Sequence, residues 1–232
     1  MFPLVLKPTG EPFDSITLAQ DFFWLPPDTP WGNMQLKLMK IGQRLSHANL
    51  RLSECYGHWE VFRKAMLPGT VDHCTLHWLT AEEAVSLLRR ASDELVTLVW
   101  VLTKRLDDGA YPNKLIVDSV SSSLTLGWPI FETHRWLLET LNSVSNAHKH
   151  SFLQSDLNVV GALEPCVASL SVTRNKLGSS PTFKNVSLHH LVGAYNGFLK
   201  DAWERLRDLS EDLSLADGGN QHGVHQGGRP ES

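Results

Sequence analysis

The stretch KLMKIGQRLSHANLRLSECYGHWEVFRKAM, residues 37–66, decides the fold. Leu38, Ile41, Leu45, Ala48, Leu52, Cys55, Trp59, Phe62 and Met66 follow one another at alternating spacings of three and four. Side chains so spaced fall on one stripe of an α-helix, and a stripe held this long is the seam of a helix packed lengthwise on another helix. Gly42 and Gly57 lie inside the run, each costing about 1 kcal/mol relative to Ala, and Gly57 is a place for a kink. Pro68-Gly69 ends the helix, because proline cannot extend it and glycine takes up the turn.

Working outward, Thr80-Ala-Glu-Glu83 has the form of a capping box, in which Thr80 accepts from the amide three residues on. The helix it opens carries Ala84, Leu88, Ala91, Leu95, Leu98 and Leu102 on one face and closes at Lys104-Arg105, with Gly109 just beyond. Two long helices joined by a short connector pack antiparallel. Residues 34–66 and 80–106 are thus expected as an antiparallel pair.

Further helices are expected at 113–125, from Pro129 to Leu153, and from Ser187 as N-cap through Leu209. Cys166 to Thr173 and Thr182 to Ser187 are short β-branched-rich runs flanking a Gly/Ser/Pro turn, which is a hairpin signal. The predicted fold class is mainly α: a helical bundle with a long antiparallel helix pair and one small β-hairpin. The domain itself spans 34–215. Ahead of it, 1–33 alternate prolines with Phe13, Phe22, Phe23, Trp24 and Trp31; proline excludes a long helix and the aromatics need a surface, so this is an ordered arm laid over the domain. Residues 216–232 are Gly, Gln, His and Pro with almost nothing apolar, the composition of a disordered tail.

Composition excludes several functions. The chain has 232 residues and a net charge of −4, without the basic excess that grips phosphate backbones. No run of about eighteen apolar residues offers a membrane span. The start of the chain lacks the features of a secretory leader, and three cysteines are a sparse, odd set suited to reduced thiols. The expected location is the cytoplasm.

The polar chemistry concentrates between 135 and 153. On a helical wheel Leu137, Leu141, Val144, His148 and Phe152 gather on one side; Arg135, Glu139, Asn142, Asn146, Lys149 and His150 gather opposite, within an arc of roughly 120°. His148 is therefore expected in the core and His150 in the stripe. Arg135 and Glu139 form an i,i+4 ion pair. Asparagine is a poor mid-helix residue, losing about 0.6 kcal/mol against Ala, so Asn142 and Asn146 suit hydrogen bonds to a neighbouring element or a ligand. Lys149 adds positive charge, and His150 can exchange protons near neutrality.

This stretch, LNSVSNAHKHSF (141–152), resembles the Asn-x-x-Lys-His-Ser helix of uncharacterised bacterial helical proteins of the HEPN superfamily (higher eukaryotes and prokaryotes nucleotide-binding). The similarity covers about residues 80–209, with its sharp motif at Asn146, Lys149, His150 and Ser151. It implies a helical bundle, a possible homodimer and a metal-independent RNA- or nucleotide-directed activity without cofactor. In that reading His150 is the acid/base, while Asn142, Asn146, Lys149 and Arg135 bind the ligand. The superfamily's catalytic signature of Arg, about four to six residues, then His is absent from this helix: twelve residues separate Arg135 from His148 and fourteen separate it from His150. Arg51 and His58 have six between them, but Leu52 follows the Arg where a polar residue is usual.

The second reading is a non-enzymatic helical interaction module, whose stripe is a structural polar network fixing helix register. Exposure of His150 discriminates the two. Other candidates are weaker. Cys55-x-x-His58 and Cys74-x-x-His77 have the spacing of a zinc set, but Cys55 falls on the apolar seam, where a thiol packs as a small hydrophobe. His189 and His190 diverge by about 100° on a helix and cannot chelate one ion together. No metal site is expected, and no phosphate loop or nucleophile elbow is present. Far-ultraviolet circular dichroism should give a helix-dominated spectrum; one dominated by strand would overturn the bundle.

Overall fold

A computed structural model describes residues 15–18, 23–64, 72–126, 129–149, 164–171 and 180–221. Along the chain these form α1 (Met34–Lys64), α2 (His73–Asp108), α3 (Val120–Leu126), α4 (Pro129–Glu132), α5 (Arg135–Lys149), β1 (Cys166–Ser171), β2 (Thr182–Ser187) and α6 (Leu188–Gln221). The mainly helical bundle and its single hairpin are as the periodicity predicts.

The seam read from the sequence is the packed face of α1. Leu38, Ile41, Leu45, Ala48, Leu52, Cys55 and Trp59 are all buried, and the helix runs unbroken through Gly42 and Gly57. Cross-helix pairs show its antiparallel register with α2. Arg44 makes a bidentate bond to Glu94 at 2.8 and 3.1 Å, Arg51 Nε lies 3.0 Å from Glu83, and Cys55 meets His77. Met66 and Pro68-Gly69 lie outside the described residues.

α2 begins earlier than the Thr80 capping box implies. Asp72 is its N-cap, accepting from the amides of Cys74 at 3.0 Å and Thr75 at 3.2 Å. Thr80 is interior, and its hydroxyl donates back to the Leu76 carbonyl at 2.7 Å. A threonine can bend its hydroxyl onto the preceding turn at little cost, so the box pattern alone did not mark a terminus. The far end is as expected: Gly109 sits left-handed at φ 69°.

The helix predicted at 113–125 shortens to α3. Ser122 Oγ accepts from the amides of Asp118 and Ser119, both at 3.0 Å, and Asp93 of α2 takes the Val120 amide at 2.7 Å. Ser119 Oγ accepts the Ser122 amide at 3.3 Å, so Ser119 caps the first turn and, with Asp93 on the Val120 amide, fixes the start at Val120. The helix predicted from Pro129 breaks into α4 and α5 around Thr133-His134, where the His134 amide closes a turn on Phe131 at 3.1 Å. Residues 150–153 lie outside the described residues.

β1 and β2 pair antiparallel from Cys166↔Ser187 to Ser171↔Thr182. α6 starts directly from β2, with Ser187 Oγ accepting the His190 amide at 3.3 Å; Leu188, Leu191, Tyr195, Phe198, Ala202, Leu206 and Leu209 face the core. Its bounds include 216–221, and 222–232 lie outside the described residues. Of the expected arm, 1–14 and 19–22 lie outside them. The described part buries Ile16 and Leu25, sets Phe23 edge-on to Trp203 of α6, and anchors the Trp31 indole on the Pro112 carbonyl at 2.7 Å.

A buried histidine ties α1, α2 and β1 together. His77 Nε2 lies 3.1 Å from the Cys166 carbonyl, and its Nδ1 lies 3.0 Å from Cys55 Sγ. Nδ1 also lies 3.1 Å from the Cys55 carbonyl; a neutral ring donates to one of the two carbonyls, and with Nε2–H on Cys166 its Nδ1 is left to accept the thiol proton. Burial raises the Cys55 thiol far above its usual range and lowers the His77 pKa, so both groups stay uncharged. A thiol so held is not a nucleophile.

Depressed histidine pKa values fix the sense of the acid response. The folded protein resists protonating His77, and His58, also lowered mainly by burial, adds in the same direction. The unfolded chain takes up protons at about pH 6.5. Stability from these groups is therefore complete above that pH and is lost as pH falls through the folded values. Thermal melts between pH 8 and 5 should show declining Tm below about 6.5, with a shallower decline in His77→Gln.

Candidate functional site

α5 presents its two faces as the helical wheel requires. Leu137, Leu141 and Val144 are buried, and so is His148, at 4 % exposure. His148 Nε2 sits 3.0 Å from the Ala168 carbonyl of β1, fastening α5 to the hairpin. The opposite face carries the stripe. The structure gives its members different surroundings.

Asn142 is half-buried and turned onto α2. Its Oδ1 accepts from Arg89 Nη2 at 3.0 Å and from Asn146 Nδ2 at 3.2 Å. Arg89 is only 8 % exposed; its other arm pairs with Asp93, whose second oxygen holds the Val120 amide. The chain Asn146–Asn142–Arg89–Asp93–Val120 thus links α5, α2 and α3 through polar contacts. Desolvation lowers the Arg89 pKa from its ordinary value, yet a guanidinium remains charged at neutral pH, so the carboxylate and amide acceptors are what make its burial tolerable.

Arg135 lies at the other end of the stripe. It bonds Glu132 through two contacts of 2.6 and 2.8 Å, and Glu139 at 3.1 Å. The hydrogen bonds to Glu132, then those to Glu139, raise its pKa. Its charge is answered locally by two carboxylates. Lys149 is exposed and makes no hydrogen bond or ion pair among the described residues. His150 lies outside the described residues. Of the five residues singled out as a site, Asn142 and Asn146 are brought together, and Arg135 and Lys149 stand apart from them.

Beside the stripe the structure places a feature that the sequence did not mark. A groove of about 1010 Å³ runs between α5, β2 and the start of α6. Trp136 and His190 stack at its edge, with ring centroids 4.3 Å apart and planes 14° apart. Phe183 is 54 % exposed on the facing strand. Lys184 reaches from β2 to Ser143 Oγ at 2.7 Å, and Glu139 and Glu164 add negative charge. Trp136 lies on the flank of the α5 wheel, off the apolar side, a signal that could have flagged an exposed aromatic. The partnership with His190 depends on tertiary placement.

The histidine pair at 189–190 diverges as helical geometry requires. His189 stacks on Tyr56 of α1 at 5.5 Å, while His190 stacks on Trp136. Of the zinc-like set, Cys55 meets His77, while His58 faces His73, which is not a member of the set, with their Nδ1 atoms 3.1 Å apart. Among the described residues no group of three or more His, Cys, Asp or Glu side chains is arranged to hold a metal ion. No helix among them is long and apolar enough to cross a membrane.

No protein-family model, curated protein or solved structure matches the chain.

The geometry of Asn142 predicts a stability phenotype. Asn142→Ala removes the amide acceptor from a buried guanidinium, at a cost of about 1 to 3 kcal/mol. A thermal melt should show a Tm several degrees lower, whereas Lys149→Ala should melt like the parent.

Proposed function

We propose that the protein is a non-enzymatic helical interaction module, in which the α5 stripe serves mainly as a structural polar network. The observation that carries this reading is the bond from Arg89 to Asn142. It engages the one stripe residue turned inward among the described residues, and Asn146 leans on the same oxygen. With Arg135 neutralised by Glu132 and Glu139, Lys149 is the described stripe residue still available to a phosphate. One lysine is a thin basis for binding a polyanion, whose affinity grows with each phosphate neutralised.

A second reading has its own support. The Trp136–His190 stack and exposed Phe183 offer aromatic faces on which bases can stack, a sequence-tolerant mode worth about 1 to 3 kcal/mol per base. Together with Lys149 and His150 they favour an RNA- or nucleotide-directed effector of the HEPN type, a possible homodimer.

Incubation with RNA in EDTA decides between them. The module reading expects no cleavage, and no RNA binding at low salt that Trp136→Ala or Lys149→Ala weakens. RNA cleavage that disappears in His150→Ala at unchanged Tm would overturn it and establish the effector.

A further inference from the structure

At one end of the antiparallel pair, α1 and α2 meet through two imidazole rings. His58 stands near the end of α1, and His73 is the first residue of α2. Their Nδ1 atoms face one another at 3.1 Å, with ring centroids 5.3 Å apart and planes tilted by 46°. The set that sequence spacing suggests for zinc does not converge, because Cys55 and His77 turn into the core. The nitrogens that do converge join His58 to a histidine outside that set.

Two arrangements have this separation. In a hydrogen bond, one ring carries its proton on Nδ1 and the other presents a lone pair. In a chelate, both rings carry the proton on Nε2 and aim their Nδ1 lone pairs at one ion. Imidazole nitrogens lie about 2.0–2.1 Å from zinc. Two nitrogens 3.1 Å apart therefore subtend about 98° at a shared ion. That angle falls between the roughly 90° of square or octahedral sites and the roughly 109° of tetrahedral ones. Two packed helices already hold the rings, so little ordering remains to be done when an ion enters.

The surroundings set the rest of the coordination shell. Both rings are half-buried, which leaves a solvent side. Glu54, one turn before His58, is paired with Arg51. Asp72, next to His73, is occupied in capping α2 through Cys74 and Thr75. Among the described residues no third His, Cys, Asp or Glu completes a group, so water supplies the remaining ligands.

We propose that His58 and His73 form a two-histidine chelate for a divalent transition-metal ion of the zinc class, completed by water, that clamps the end of α1 to the start of α2. Imidazole ligands select zinc, copper or nickel over magnesium and calcium. With two protein ligands the ion is exchangeable, unlike the closed four-ligand shell of a structural zinc. The site lies apart from the α5 stripe and its groove, and neither reading of those depends on it.

His58→Asn separates the chelate from the hydrogen bond. Asparagine places Oδ1 or Nδ2 where histidine has Nδ1, so it keeps a hydrogen bond to His73 while removing the imidazole ligand. The full-length chain is titrated with zinc chloride by calorimetry and melted with and without the ion. The parent should bind zinc, and its Tm should rise with zinc concentration but not with magnesium. His58→Asn should melt like the parent without metal, and should lose zinc affinity by roughly tenfold or more together with the zinc-dependent rise in Tm. His73→Ala tests the second ligand and should lose the same response, whereas the exposed His47→Ala should keep it. A parent that shows no zinc response overturns the proposal. So does a response that persists in natively folded His58→Asn or His73→Ala, and the two rings are then a hydrogen-bonded pair.

Discussion

The structure depends on α2 being buried over most of its surface. From Leu88 to Thr103 most α2 residues are in the core, including Leu95, Val96, Leu98, Val99, Trp100, Val101 and Leu102, while exposed Arg90 and half-buried Asp93, Glu94 and Thr97 keep one narrow edge toward solvent. A helix so enclosed leaves only that narrow edge for polar groups, so those it carries elsewhere must be satisfied by the helices around it. Arg89 is satisfied by Asp93 and Asn142. Ser92 donates to Leu88 and lies 3.3 Å from the Tyr195 hydroxyl, which in turn donates to the same Leu88 carbonyl at 3.3 Å. Each contact recruits a different neighbour: α5 for Arg89, α6 for Ser92. Hydrophobic burial holds the bundle together, and these few polar contacts restrict which rotations of α5 and α6 about α2 are allowed.

This division explains which parts could be read from the sequence. Apolar periodicity reports a face, and faces were recovered well: the α1 seam, the inward His148, the α6 row from Leu188 to Leu209, and the opposed directions of His189 and His190. Local chemistry reports ends less reliably, because the same residues serve caps and interiors. Thr80 looked like a cap and is interior, while Asp72, immediately before the Cys74-bearing turn, does the capping. Asp118, Ser119 and Ser122 are turn-forming residues that postponed α3, and a count of apolar positions does not weigh them.

The candidate site was half legible for a related reason. Asn142 and Asn146 were conspicuous because asparagine is poorly suited to a helix interior, and the inference that they bond to something beyond their own helix holds for Asn142. Its partner was invisible on α5. Arg89 stands at an apolar position of α2, in line with Val85, Ser92 and Val96, so a charged residue on a core stripe was the complementary signal. Matching an inward arginine on one helix to an inward amide on another requires knowing that the two helices touch. The Trp136–His190 stack is a tertiary coincidence of the same kind, joining residues whose helices are separated in sequence by the hairpin.

Three of the mid-helix asparagines follow one physical logic. Asn49, Asn142 and Asn196 each sit inside a helix, where the side chain costs about 0.6 kcal/mol of propensity. Each offers its amide to a group that its own helix could not reach: an arm strand, a buried guanidinium, and the other edge of that strand. A primary amide has both an acceptor and donors on one rigid plane, which lets it imitate a peptide unit. Aspartate would supply only acceptors and add a charge to desolvate, and serine is too short to span the two groups of one residue. A helix that must hold an extended chain without a sheet edge has few alternatives to asparagine or glutamine. The pairing of Asn49 and Asn196 across one cleft therefore holds both edges of the backbone at residues 15–17, which neither asparagine could do alone.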